Sequence, residues 1–165
     1  MRRFARIAVV ARRTLGLVAL TAVAATAAFA QNGHTAQNVD ANGVILGGHD
    51  AVAYQTENRP VAGSAEFTAT HEGAIYRFAS AANRDTFRAD PARYAPAYGG
   101  YCAMGVAMGK KLPVDPAAFT VSNGRLFLNV NRDVQRMFSR DVPGNDAKAR
   151  GNWASVQARR GFDSM

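Results

Sequence analysis

From Gly43 onward the chain alternates short apolar runs with turn-forming clusters, and this rhythm predicts its elements. Val44-Ile45-Leu46 is a brief apolar run closed by Gly47-Gly48. Across residues 66–71 the pattern has period two, with Phe67 and Ala69 on one side and Thr68 and Thr70 on the other. Glu72-Gly73 supplies turn chemistry beside His71, and Ala74-Ile75-Tyr76-Arg77-Phe78 returns, which predicts a β-hairpin. Ser80 is placed to cap a helix running through Asn83 and Phe87, and Asp90-Pro91 restarts a helical turn with Tyr94 on the same face as Phe87. After Gly99-Gly100, residues 101–108 have helical composition. Residues 118–121 and 125–130, joined through Ser122-Asn123-Gly124, predict a second hairpin. Val134, Met137 and Phe138 follow at helical offsets, and a polar, Pro-interrupted stretch from Asp141 leads to Trp153 and Val156, which dock back on the core. Two hairpins interleaved with short helices define a small α+β domain, because no strand–long helix–strand unit appears. The hairpin-then-helix order recurs, with no period visible in the residues themselves.

The first thirty residues change the picture of the whole. Arg2, Arg3, Arg6, Arg12 and Arg13 precede an alanine-rich apolar run that closes on Ala28-Phe29-Ala30, and no acid appears before Asp40. This is the pattern of a cleavable signal peptide with cleavage after Ala30, and it predicts a periplasmic or secreted protein. Arg12-Arg13 also permits a twin-arginine route. Residues 31–42 read as a polar flexible leader, 43–156 as the domain, and 157–165 as a loose tail. The full chain carries 20 basic and 12 acidic residues, and removal of the leader leaves 15 and 12, a net +3. The remaining basic residues are scattered, so nucleic acid is not an expected partner. No second apolar stretch is long enough to span a bilayer, so membrane attachment is not expected after cleavage.

Four ordered blocks carry a family resemblance. They are Gly48-His49-Asp50-Ala51-Val52-Ala53-Tyr54; Tyr76-Arg77-Phe78-Ala79-Ser80 with Asn83-Arg84-Asp85-Thr86-Phe87; Pro91-Ala92-Arg93-Tyr94-Ala95-Pro96; and Gly99-Gly100-Tyr101-Cys102-Ala103. Together they resemble the exported branch of the YHS domain family over roughly residues 43–156. The resemblance implies a small α+β module and a metal-handling role, with copper the leading ion. The cysteines that other YHS forms carry near the domain start and the hairpin–helix junction are absent here, where Ala53, Ala79 and Asn83 stand. That cysteine-rich site therefore does not transfer, and the Cys102 and His49 blocks become the candidates.

Chemistry supports the same two positions. Cys102 is the only cysteine, so it forms no disulfide within the chain. In the first turn of a helix after Gly99-Gly100 its thiol pKa would be lowered, which suits a soft ion such as Cu(I). Imidazole at His49 is a metal ligand, and Asp50 either orients it or caps the turn that follows. Met104 and Met108 share a helical face, but Met104 lies nearly opposite Cys102, so core packing is the better reading of both. Tyr54 and Tyr101 adjoin the two blocks as pocket-lining candidates, against the plainer reading of core aromatics with phenolic ends at the surface.

No catalytic residues are assigned. The chain lacks a nucleophile elbow, a phosphate loop, a dinucleotide fingerprint and a zinc-protease helix motif. The expectation is a metal-binding module using Cys102 and His49, whose partner is a metal ion or small ligand. The alternative is a non-catalytic interaction or small-molecule-binding domain whose block residues only hold the fold.

Overall fold

The computed structural model describes residues 36–165. The residues read from the sequence as a signal peptide, and the start of the expected leader, lie outside those described. Two hairpins organise the chain. Strands β1 (Ser64–His71) and β2 (Ala74–Phe78) form one antiparallel sheet, and β3 (Asp115–Ser122) and β4 (Arg125–Asn129) form the other. Around them lie α1 (Ala51–Thr56), α2 (Ala81–Ala89), α3 (Pro91–Tyr94), α4 (Ala103–Ala107), α5 (Arg132–Ser139) and α6 (Val142–Gln157). The α+β class read from the sequence is the class observed. Among the described residues no helix is long and apolar enough to cross a membrane.

The predicted caps form. Ser80 Oγ accepts the Asn83 N–H at 3.1 Å, and Asp90 accepts from Arg93 N with Pro91 in the first helical turn. One core cluster gathers Ile45, Val52, Tyr54, Tyr76, Phe78 and Phe87 with Leu126 and Leu128 from the second hairpin. A second cluster gathers Tyr98, Tyr101, Val106, Phe127, Phe138 and Val156. Each pairs a hairpin face with the helix that follows it, as amphipathic elements require.

Three stretches differ from their sequence readings. The leader is docked from residue 36: Asn38 N donates to Gly99 O at 2.7 Å, Asn38 Nδ2 donates to Gly100 O at 3.0 Å, and Gln37 is buried. The tail is docked as well, because Asp163 accepts the Lys111 N–H at 2.6 Å and Phe162 meets the Tyr101 ring edge-on. The stretch after Asp141 is the helix α6, not an irregular connection. Its Pro143 sits in the first turn, where a missing N–H costs nothing. Its buried positions include Asn145 and Asp146, satisfied by Phe138 O, Arg125, Arg150 and Tyr98 rather than by apolar contact.

The hairpins repeat at a fixed interval. Residues 64, 71, 74 and 78 bound the first, and each bound of the second lies 51 positions later, with a bulge at the same place in both. The correspondence extends to the turn pairs Glu72-Gly73 and Asn123-Gly124, all left-handed, and to the caps Ser80 and Asn131 and Asp90 and Asp141. Phe87 and Phe138, both fully buried, match too. Upstream the interval is 52: Leu46, Gly47 and Gly48 have φ of 59°, 57° and 80°, and Tyr98, Gly99 and Gly100 have 56°, 58° and 77°. The domain is therefore built from two copies of one backbone unit. The sequence obscures this because few of the paired positions carry the same residue.

Candidate functional site

Asp50 and Cys102 occupy equivalent places in the two units. Each follows a left-handed turn, caps a short helix, and donates its backbone N–H to a carbonyl about ten residues on: Val61 O for Asp50 at 2.8 Å, Leu112 O for Cys102 at 3.2 Å. Asp50 is fully buried. Its Oδ1 accepts from Val52 N at 2.8 Å and Ala53 N at 3.2 Å, and its Oδ2 from Ala79 N at 2.9 Å and Asn83 Nδ2 at 2.7 Å. Both carboxylate oxygens are thereby committed to α1, the end of β2 and α2. Asp50 does not orient His49.

Cys102 is also fully buried, and its Sγ faces the matching donors. Gly105 N lies 3.3 Å away, and the Met104 and Val130 N–H groups also point at the sulfur. Asn129 Oδ1 lies 3.8 Å from Sγ and accepts the Met104 N–H at 3.3 Å. Burial pushes the thiol pKa above its ordinary value, and the three N–H groups offset only part of that rise. The expected lowering is reversed because the residue is the cap of a five-residue helix sealed from water, not an exposed member of a first turn.

His49 is half-buried, and its Nδ1 donates to Leu46 O at 2.9 Å. A carbonyl only accepts, so the proton sits on Nδ1 and the Nε2 lone pair is left for another partner. No hydrogen bond joins His49 to Cys102. Among the described residues no group of three or more His, Cys, Asp or Glu side chains converges as a metal-binding set.

The remaining candidates have separate settings. Tyr54 is buried, and its hydroxyl donates to Pro116 O at 3.0 Å; burial first, then the Asp115 charge, holds its pKa far above the ordinary phenol value. Tyr101 donates to Gln37 O at 3.2 Å, with the Lys111 ammonium over its ring. These phenolic ends are buried, contrary to the expectation that they reach the surface. Met104 packs on the second core cluster, but Met108 is 64 % exposed and takes no part in the core. Sequence reasoning also passed over Lys111. It is buried, with Nζ donating to Gln157 O at 3.3 Å and Arg159 O at 2.8 Å, and so holds the end of α6. Its position beside Lys110 concealed this role.

Compared with known proteins, the chain matches no family model, and neither a curated protein nor a solved structure resembles it significantly.

Proposed function

We propose that this chain is an exported, non-catalytic binding module of YHS type, in which the two conspicuous sequence blocks are scaffold and not a metal centre. The observation that carries the reading is the equivalence of Asp50 and Cys102. A thiol in the place where the first unit uses a carboxylate, facing the same backbone donors, has a structural task that accounts for its burial. Copper coordination through Cys102 would require a fully buried sulfur to become accessible to the ion, and no hydrogen bond joins that sulfur to His49. Among the described residues no three His, Cys, Asp or Glu side chains come together to hold an ion.

The purified protein and its Cys102→Ser variant, titrated anaerobically with Cu(I) against a competing chelator, test this reading. Equal and weak binding by both is expected. Tight one-to-one binding that disappears in the folded variant would overturn it. A metal-handling reading retains one specific support, the oriented Nε2 of His49. His49→Ala belongs in the same titration, and a loss of binding confined to that variant would favour the metal reading.

A further inference from the structure

We infer that the cleft between the tip of the first hairpin and α6 binds an organic ammonium or guanidinium group, an inference that rests on the binding-module reading. The cleft has a volume of about 450 Å³ and is lined by Gln37, Glu72, Pro96, Tyr98, Trp153 and Gln157 among others. Glu72 is the only charged residue on its wall among the described residues. Tyr98 and Trp153 supply aromatic surface and meet edge-on at 5.7 Å. A carboxylate beside aromatic rings selects for a cation, through charge and through the ring quadrupoles.

Two features of the wall point to a ligand rather than to packing. Gln37 is 8 % exposed, and its Nε2 donates to Glu72 Oε2 at 2.8 Å. That bond fixes the amide orientation, since the reverse would set oxygen against carboxylate, and it leaves a buried Oε1 with no donor. An unpaired buried acceptor is rare because it forfeits its hydration without replacement, and an N–H donor satisfies it. Glu72 is the second feature. It occupies a left-handed turn position at φ 47°, where the second hairpin has Asn123 at φ 49°. Asparagine suits that conformation better than glutamate, so the turn alone does not account for the carboxylate.

Nearby cations leave the carboxylate available. Arg125 pairs with Asp146 at 2.6 Å and lies over the Phe127 ring and, at 5.9 Å, the Tyr98 ring, and Arg93 lies over the Tyr94 ring. His71 Nε2 is 3.9 Å from Glu72 Oε1 and engages it as a charge only when protonated.

Trp153 is the sole tryptophan, so its fluorescence reads the cleft directly. The full-length chain is titrated at pH 7.5 and low salt with spermidine, with acetyl-Gly-Lys-Gly-amide and its Arg counterpart, and with the uncharged norleucine peptide. Saturation by a cationic probe and none by norleucine is expected. Preference for spermidine identifies a free amine as the ligand, and preference for a peptide identifies a protein side chain. Glu72→Gln and Gln37→Met, each checked for an unchanged melting temperature, are expected to weaken binding by about tenfold, the size of one charge-assisted or buried contact. Equal response to norleucine, indifference to Glu72→Gln, or no saturation with any cation would overturn the inference. Such a failure leaves the scaffold reading standing, because that reading is tested separately by the Cu(I) titration.

Discussion

In the first unit a carboxylate, Asp50, ties a short helix to the strand and helix downstream; in the second a thiol, Cys102, stands in the same place. The backbone donors are alike, from the capped helix and from the residue after the returning strand. Their reach differs. Asp50 has two oxygens and takes a fourth donor, Asn83 Nδ2, from α2. Cys102 offers one large, weakly accepting atom, and Val134 stands at the position equivalent to Asn83, so α5 supplies no matching amide donor; the Asn129 amide oxygen lies 3.8 Å from the sulfur instead. The comparison separates the geometry of a cap, which a thiol can occupy, from its strength, which depends on charge and oxygen count.

The largest effect expected from this comparison comes from removing the stronger cap. Asp50→Ala leaves four N–H donors in a dry site without an acceptor, and should cost roughly 4 kcal/mol in urea unfolding. A loss below about 1 kcal/mol would mean that Asp50 is not the hub of the first unit. Cys102→Ala should cost less, about 1–2 kcal/mol, from a small cavity and a weaker acceptor. Cys102→Asp sharpens the comparison, because it restores to the second unit the group used by the first. It should fold and be no less stable than Cys102→Ala, although an aspartate in a fully buried site is ordinarily among the most damaging substitutions. Failure to fold would break the equivalence.

A smaller effect should appear at alkaline pH. Burial raises the pKa of Cys102 from 9.0 and those of Tyr54 and Tyr76 from 10.0. A group raised in the folded state contributes stability that is complete below its unfolded pKa and is lost as pH climbs through the folded one. The melting temperature should therefore begin to fall above pH 9 and fall more steeply above pH 10. In Cys102→Ala the first part of that decline should be absent. The smallest effect belongs to Met108→Ser. Its side chain is 64 % exposed, so the melting temperature should shift by no more than about 0.5 kcal/mol implies.

Much of this was legible in the residues. Ser80, Asp90 and the Asn123-Gly124 turn announce themselves because capping and left-handed turns restrict residue choice strongly. Burial of Val44, Ile45 and Leu46 follows from their run. The two-unit architecture was hidden because backbone conformation repeats while side chains do not: Asp50 aligns with Cys102, and Tyr76 with Phe127. Helix α6 was missed because part of its buried face is Asn145 and Asp146, so the apolar period is broken where ion pairs and hydrogen bonds replace packing. The cleft was missed for a different reason. Gln37 stands in a polar stretch with nothing to mark it, and only tertiary structure brings it to Glu72 and Trp153.

The central claim, that Cys102 is scaffold and not reactive chemistry, is tested most directly by native-state labelling of its thiol with a chromogenic disulfide reagent across a denaturant series. The account predicts labelling that is slow in buffer and that accelerates in step with unfolding, because the sulfur is sealed and its proton is held more tightly than usual. Stoichiometric labelling within the mixing time, in the absence of denaturant, would contradict it.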